Sequence, residues 1–328
     1  MNWKESAVLV TGGTGSFGKA FIKRMLREHQ PRKLIIFSRD ELKQHEMRAG
    51  GLEHHSLRYF VGDIRDADRL RRAMRDVDIV VHAAALKQVP ACEYNPIEAV
   101  MTNVNGSRNV IDAAIDTGVK RVLALSTDKA VNPVNLYGAT KLVAEKLFVQ
   151  ANAYSPGKTI FSCVRYGNVV GSRGSVVPLF LEQAKKGKIT VTDERMTRFW
   201  ITLDQGVSFV IGCIDRMLGG ELFIPKIPAM KMTDLAEIVA PGCRIETIGI
   251  RPGEKLHEAL ISEEEATRTL DVGSMYVVQP AHAWWNAGDW GSGTPIDPNF
   301  NYVSNGDVRA LTKEELMSMV GETLDPVR

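Results

Sequence analysis

The run Val8-Leu9-Val10-Thr11-Gly12-Gly13-Thr14-Gly15-Ser16-Phe17-Gly18 limits what this chain can fold into more than any other feature. A short β-branched stretch leads into glycines three residues apart, and a helix-like segment follows. The turn needs backbone freedom, a pyrophosphate needs close approach to N–H groups, and Gly18 lets the helix pack against the strand. A glycine triplet alone is weak, but a strand before it and a helix after it make it a dinucleotide signal. Gly12, Thr14, Gly15, Ser16, Phe17 and Gly18 are therefore candidate cofactor contacts.

The pattern downstream supports that context. Ala7–Val10, Leu34–Phe37, Leu57–Val61, Ile79–His82, Val122–Ser126 and Thr159–Val164 are short apolar runs without polar alternation, as in strands covered on both faces. Helix-like segments lie between them, including Lys19–Glu28, Ala67–Arg75, Ile97–Thr117 and Tyr137–Ala151. This predicts right-handed βαβ units in an α/β, doubly wound parallel sheet of the Rossmann type over residues 1–170. Residues 171–328 read as a smaller α/β substrate-binding lobe, because loops such as Ser172–Pro178 and Ala281–Pro298 interrupt shorter elements. That lobe has room for strands or helices that return to the main sheet.

Composition excludes several function classes. The chain has 41 basic and 39 acidic residues, a net charge of +2, so no concentrated basic face recommends nucleic acid or an anionic membrane. No apolar run reaches the roughly 18 residues of a spanning helix, and the N-terminus reads as a first strand, not a signal peptide. Cys92, Cys163, Cys213 and Cys243 are scattered, and neither they nor the seven histidines show metal spacing. The expectation is a cytoplasmic protein with reduced thiols and no metal.

The second strand ends in Ser38-Arg39-Asp40, with Lys43 one helical turn on. An acidic residue at this strand end suits the ribose 2′-hydroxyl of NAD, whereas Arg suits the 2′-phosphate of NADP. Ser38, Arg39 and Lys43 favour NADP, and Asp40 keeps NAD open. Asp63 and Ile64 after the third strand suit the adenine. Ala83 and Ala85 after the fourth leave room for the cofactor. The alternative for all four is strand-end packing.

Thr127-Asp128-Lys129 follows the fifth strand, and Tyr137 and Lys141 open the next helix. Residues four apart share a helix face. A nearby ammonium and the positive ring of a cofactor favour phenolate, so Tyr137 can remove a hydroxyl proton that Thr127 orients. Tyr137 and Lys141 would contact both cofactor and substrate.

Together TGGTGSFG, HAAALKQVP, STDKAVNP, YGATK, VRYGNVVGSRGSVVP and RPGEKLHE resemble the extended short-chain dehydrogenase/reductases. More specifically they resemble the UDP-N-acetylglucosamine 4,6-dehydratases (5-inverting) that begin pseudaminic acid synthesis. The likeness runs from Val8 to about Leu311. It implies oxidation at C4, loss of water across C5 and C6, and return of hydride to C6, with NADP tightly bound and recycled. A 4-epimerase needs no acid-base pair beyond Thr, Tyr and Lys, whereas elimination does. The resemblance assigns Asp128 as acid and Lys129 as base, the lysine losing its proton if desolvated beside other cations. The two groups can also titrate jointly.

For the substrate, the resemblance implies a UDP-sugar held by Tyr166, Asn168, Arg173, Val176, Arg198, Arg251 and Glu254, with Arg251 clamping diphosphate and Glu254 accepting from ribose hydroxyls. Lys87 would lie near cofactor and sugar, or on the surface. His82 reads as strand-end packing. A dimer or hexamer is the family habit. The rivals are a nucleotide-sugar C4 or C5 epimerase, a 5-retaining dehydratase, and a non-catalytic dinucleotide-binding protein.

Overall fold

The computed structural model describes residues 1–171, 175–281, 290–291 and 293–324. Arg173 and half of the loop expected at Ala281–Pro298 (residues 282–289 and 292) lie outside these residues.

The N-terminal half folds as strand and helix in alternation: β1 (Ala7–Thr11), α1 (Ser16–Arg24), β2 (Lys33–Ser38), α2 (Glu41–Ala49), β3 (Leu57–Val61), α3 (Ala67–Ala73), β4 (Ile79–His82), α4 (Gly106–Thr117), β5 (Arg121–Leu125), α5 (Leu136–Ala151) and β6 (Ile160–Val164). Next come α6 (Leu203–Arg216) and β7 (Leu222–Pro225), followed by β8 (Thr269–Asp271), β9 (Met275–Val278) and β10 (Thr294–Pro295). All ten strands join one sheet in the order β10-β8-β9-β7-β6-β5-β4-β1-β2-β3. From β3 to β7 every pairing is parallel, whereas β9, β8 and β10 are added antiparallel. The run 3-2-1-4-5-6 is that of a doubly wound dinucleotide fold, with a switch point between β1 and β4. Residues of β1, β4 and β5 are almost wholly buried, as strands covered by helices on both faces must be.

The chain beyond 170 does not form a separate unit. Four of its strands complete the main sheet, and the rest surrounds a second core that includes Phe180, Ile189, Trp200, Leu235 and Leu316. Short pairs lie around this core: Thr197–Ile201 against Ala229–Lys231, Arg244–Thr247 against Lys188–Val191, and Ala259–Ile261 against Tyr302–Val303. The helix expected over 97–117 is one rod with an irregular middle: Pro96–Val100 and α4 flank a wider π turn, Met101–Asn105. Among the described residues no helix is long and apolar enough to cross a membrane.

Candidate active site

A cavity of about 590 Å³ opens at the carboxyl ends of the central strands, where ligands of doubly wound folds sit. All the cofactor residues read from the sequence line it, and so do Thr127, Asp128, Lys129, Tyr166 and Asn168.

The β1–α1 turn is shaped to admit a dinucleotide. Gly12 has φ +66°, and a Cβ there would lie 2.9 Å from the Ala84 backbone. A Cβ on Gly18 would meet Gly13 Cα at 2.5 Å, so the helix packs on the turn itself and not only on the strand. Gly15 caps α1 without a side-chain hydrogen bond, which leaves the first helical N–H groups for a phosphate. At the end of β2, Ser38 Oγ is 2.8 Å from Thr14 Oγ1. Asp40 is occupied elsewhere: it caps α2 by accepting from Lys43 N at 3.0 Å and pairs with Lys43 Nζ. It does not line the cavity, whereas Arg39, 3.7 Å from Asp63, and Lys43 do. These residues fit a nicotinamide dinucleotide.

His82 is fully buried between Thr11 Oγ1 (2.8 Å) and Ser107 Oγ (3.3 Å). Burial, with a contribution from Lys141, pushes its imidazole down to about 3, so it is a neutral packing group.

The candidate reacting groups come from the loop after β5 and the first turns of α5. Asn135 caps α5 by accepting from Gly138 N at 2.7 Å. A Cβ on Gly138 would sit 2.1 Å from the Lys129 carbonyl oxygen. Glycine there lets the Tyr137 helix press against the Asp128–Lys129 loop. Tyr137 is pushed up to about 12, chiefly by burial, while Lys129 and a hydrogen bond from Thr127 pull the other way. The sequence reading gave the phenolate-favouring cation as Lys141. Lys141 instead donates to Leu125 O at 2.6 Å, and burial lowers its affinity for a proton. The ammonium acting on Tyr137 is that of Lys129.

Asp128 Oδ1 accepts from Thr127 Oγ1 at 2.9 Å and from Lys129 Nζ at 3.0 Å, whereas Oδ2 is buried without a hydrogen bond. Burial pushes this carboxyl above the usual range against the pull of Lys129, and the Glu258 charge adds to the rise. Lys129 does not become a free amine by desolvation, as expected from sequence. Burial does oppose its charge, but the carboxylates of Asp128 and Glu258, at 3.0 and 3.2 Å, outweigh it and hold the ammonium above its ordinary range. Lys87 lines the cavity, lowered first by burial and then by Lys129.

Four residues expected to hold substrate are not in the cavity wall. Val176 packs against the second core. Arg198 is buried, donating to Thr197 O (2.7 Å), Lys255 O (3.0 Å) and Leu256 O (3.2 Å), which spends the fork that a diphosphate would need. Arg251 and Glu254 lie 4.0 Å apart outside the cavity. The RPGEKLHE segment instead braces the loop after β5 and the start of α5: Asn135 Nδ2 donates to Gly253 O at 2.7 Å, Lys255 Nζ donates to Val131 O, and Glu258 meets Lys129. The sequence reading left Glu258 without a role. Its place in a motif already singled out, one residue after His257, was the only signal. Asn168 Oδ1 and Ser175 Oγ, both in the cavity wall, are buried without hydrogen bonds and are left for a ligand.

Residues 8–280 match a family described as polysaccharide biosynthesis protein. A UDP-N-acetylglucosamine 4,6-dehydratase (inverting) of Campylobacter jejuni is 50% identical over 326 residues, covering 96% of this chain and 97% of that protein. A UDP-glucose 4-epimerase of Rickettsia typhi is 45% identical over 281 residues, 83% of this chain and 82% of that one. Among solved structures, Pen from Bacillus thuringiensis superposes with a TM-score of 0.90 at 39% identity, covering 99% of each chain.

Proposed function

The chain belongs to the polysaccharide biosynthesis protein family, and from that membership we propose that it is a UDP-N-acetylglucosamine 4,6-dehydratase of the C5-inverting kind. Its product is UDP-2-acetamido-2,6-dideoxy-β-L-arabino-hex-4-ulose. The observation that carries the reading is the ion pair of buried Asp128 with partly buried Lys129, with Nζ and Oδ1 3.0 Å apart beside Tyr137. A simple 4-epimerase has no use for it.

The cavity residues from Gly12 to Lys141 would hold a nicotinamide dinucleotide, which supplies a hydride acceptor and later the hydride donor. Arg39 and Lys43 favour NADP, since Asp40 is committed to its cap. Burial keeps Tyr137 protonated, and the positive ring of a bound nicotinamide, together with Lys129, would shift it to phenolate, which takes the proton of the C4 hydroxyl that Thr127 orients. The resulting ketone acidifies C5–H. Transfer of one proton within the ion pair gives a neutral Lys129 amine and a neutral Asp128 acid, the latter carrying its proton on Oδ2. The amine takes the C5 proton, the C–H electrons form the C5–C6 double bond, and the acid protonates the departing C6 hydroxyl. The pair ends as ammonium and carboxylate, with its proton count unchanged. As hydride returns to C6, C5 takes a proton on the face opposite the one Lys129 stripped, which inverts it, and the proton held by Tyr137 makes up the count and leaves the pair with its one proton. Asn168 and Tyr166 face the sugar-nucleotide. The reading carries with it a cytoplasmic, homo-oligomeric enzyme.

Incubation with UDP-N-acetylglucosamine in deuterated water tests this, read by NMR and mass spectrometry. Loss of about one water mass, a new C6 methyl and deuterium at C5 are expected. A product of unchanged mass would make the protein an epimerase.

A further inference from the structure

Lys129 is gripped from behind by a residue that the cavity does not contain. Glu258 belongs to the C-terminal lobe, is 2% exposed and is absent from the cavity wall. Its Oε1 lies 3.2 Å from Lys129 Nζ and 3.7 Å from Arg198 Nε. Its Oε2 lies 3.9 Å from Lys255 Nζ and makes no hydrogen bond. The cluster thus stacks two carboxylates, Asp128 and Glu258, on either side of one ammonium. Lys255 and Arg198 lie on the far side, Lys87 acts on Lys129 from the cavity wall, and Arg165 reaches the cluster through its effect on Lys255. We propose that Glu258 is a positioning residue for Lys129: from the C-terminal lobe its carboxylate holds Nζ against Asp128 and keeps one proton on the pair.

The geometry allows no simpler role. Glu258 does not line the cavity, so it does not touch the sugar, and a buried carboxylate is retained only where cations repay its desolvation. Burial opposes its charge, but Lys129, Arg198 and Lys255 outweigh burial and hold it ionised. An ionised Glu258 raises the proton affinity of both Asp128 and Lys129. Elimination needs the one-proton form of the pair. With two protons there is no base, and with none there is no acid. Glu258 therefore sets the pH window in which the pair works.

This inference rests on the dehydratase reading, so its test includes a measurement that needs no turnover. In E258Q, kcat for water loss is expected to fall about 10- to 100-fold with KM changed less than about threefold. The acid limb of the kcat profile should move down by about one pH unit, since removing a facing carboxylate weakens proton binding. E258D, which keeps the charge, should restore the limb. Independently, NMR of protein carrying labelled lysine side chains, with the Lys129 signal identified by its loss in K129M, should show that amine titrating at lower pH in E258Q. Retained cofactor binding checks that each variant folds. An acid limb and a Lys129 titration both unmoved in E258Q would overturn the proposal. A shifted titration in a protein that releases no water would sink the dehydratase reading instead.

Discussion

Asp128 accepts two hydrogen bonds on one oxygen and none on the other, which decides where its proton can reside. Asp128→Asn keeps the shape but cannot lend a proton, so kcat should fall by about 10²–10⁴, the usual worth of a positioned acid. Steady-state assays with a check of cofactor retention measure this. Because burial raises Asp128, kcat should lose activity on acidification at a pH above the roughly 3.9 of a free aspartate. Below that limb both members of the pair are protonated and no base remains. A pH–rate profile locates it. At the other end of the cavity, Arg39→Ala should weaken NADP by about tenfold or more while changing NAD little, the loss expected of one charge-assisted phosphate contact. Titration with each dinucleotide tests it. Residue types at fixed spacing made Gly12, Tyr137 and Asp128 legible in sequence. Protonation was not legible, because the charge on Lys129 depends on Glu258, which lies 129 positions away along the chain.

At the scale of elements, the β5 loop and α5 work as one piece because Gly138 lets them touch. Gly138→Ala would place a methyl carbon 2.1 Å from the Lys129 carbonyl, forcing backbone apart and not a side-chain tip. A loss of about 1–3 kcal/mol in stability is expected for such overpacking, with kcat falling more than KM rises. Thermal unfolding and kinetics together measure both. The parallel strands were readable because unbroken β-branched runs have few other uses. The π turn at Met101–Asn105 was not, since one added residue leaves apolar spacing almost intact. Its neighbour Gly106 accommodates Ile64, which a Cβ would meet at 2.6 Å.

Over the whole molecule, a buried fork joins the two halves. Arg165 at the end of β6 pairs with Glu145 on α5 at 2.7 Å and with Glu265 in the C-terminal lobe at 2.8 Å, and also donates to Leu260 O at 2.8 Å. Arg165→Met leaves two carboxylates facing each other without their cation. It should cost about 3–5 kcal/mol, as removal of one partner from a buried pair does, and denaturant unfolding measures it. The same long-range logic explains which substrate residues sequence misplaced. Arg198 and Arg251 sit in motifs that suggest phosphate, but sequence does not reveal whether the donors of a guanidinium are already taken by backbone carbonyls. The central claim is that Asp128 and Lys129 carry an elimination that follows the oxidation at Tyr137. It is tested most directly by mixing Asp128→Asn, which keeps the Lys129 ammonium beside Tyr137, loaded with NADP, with UDP-N-acetylglucosamine and following the near-ultraviolet absorbance of reduced nicotinamide. Reduced cofactor should accumulate with no C6 methyl product. Continued release of the 4-keto-6-deoxy sugar at the wild-type rate would contradict the claim.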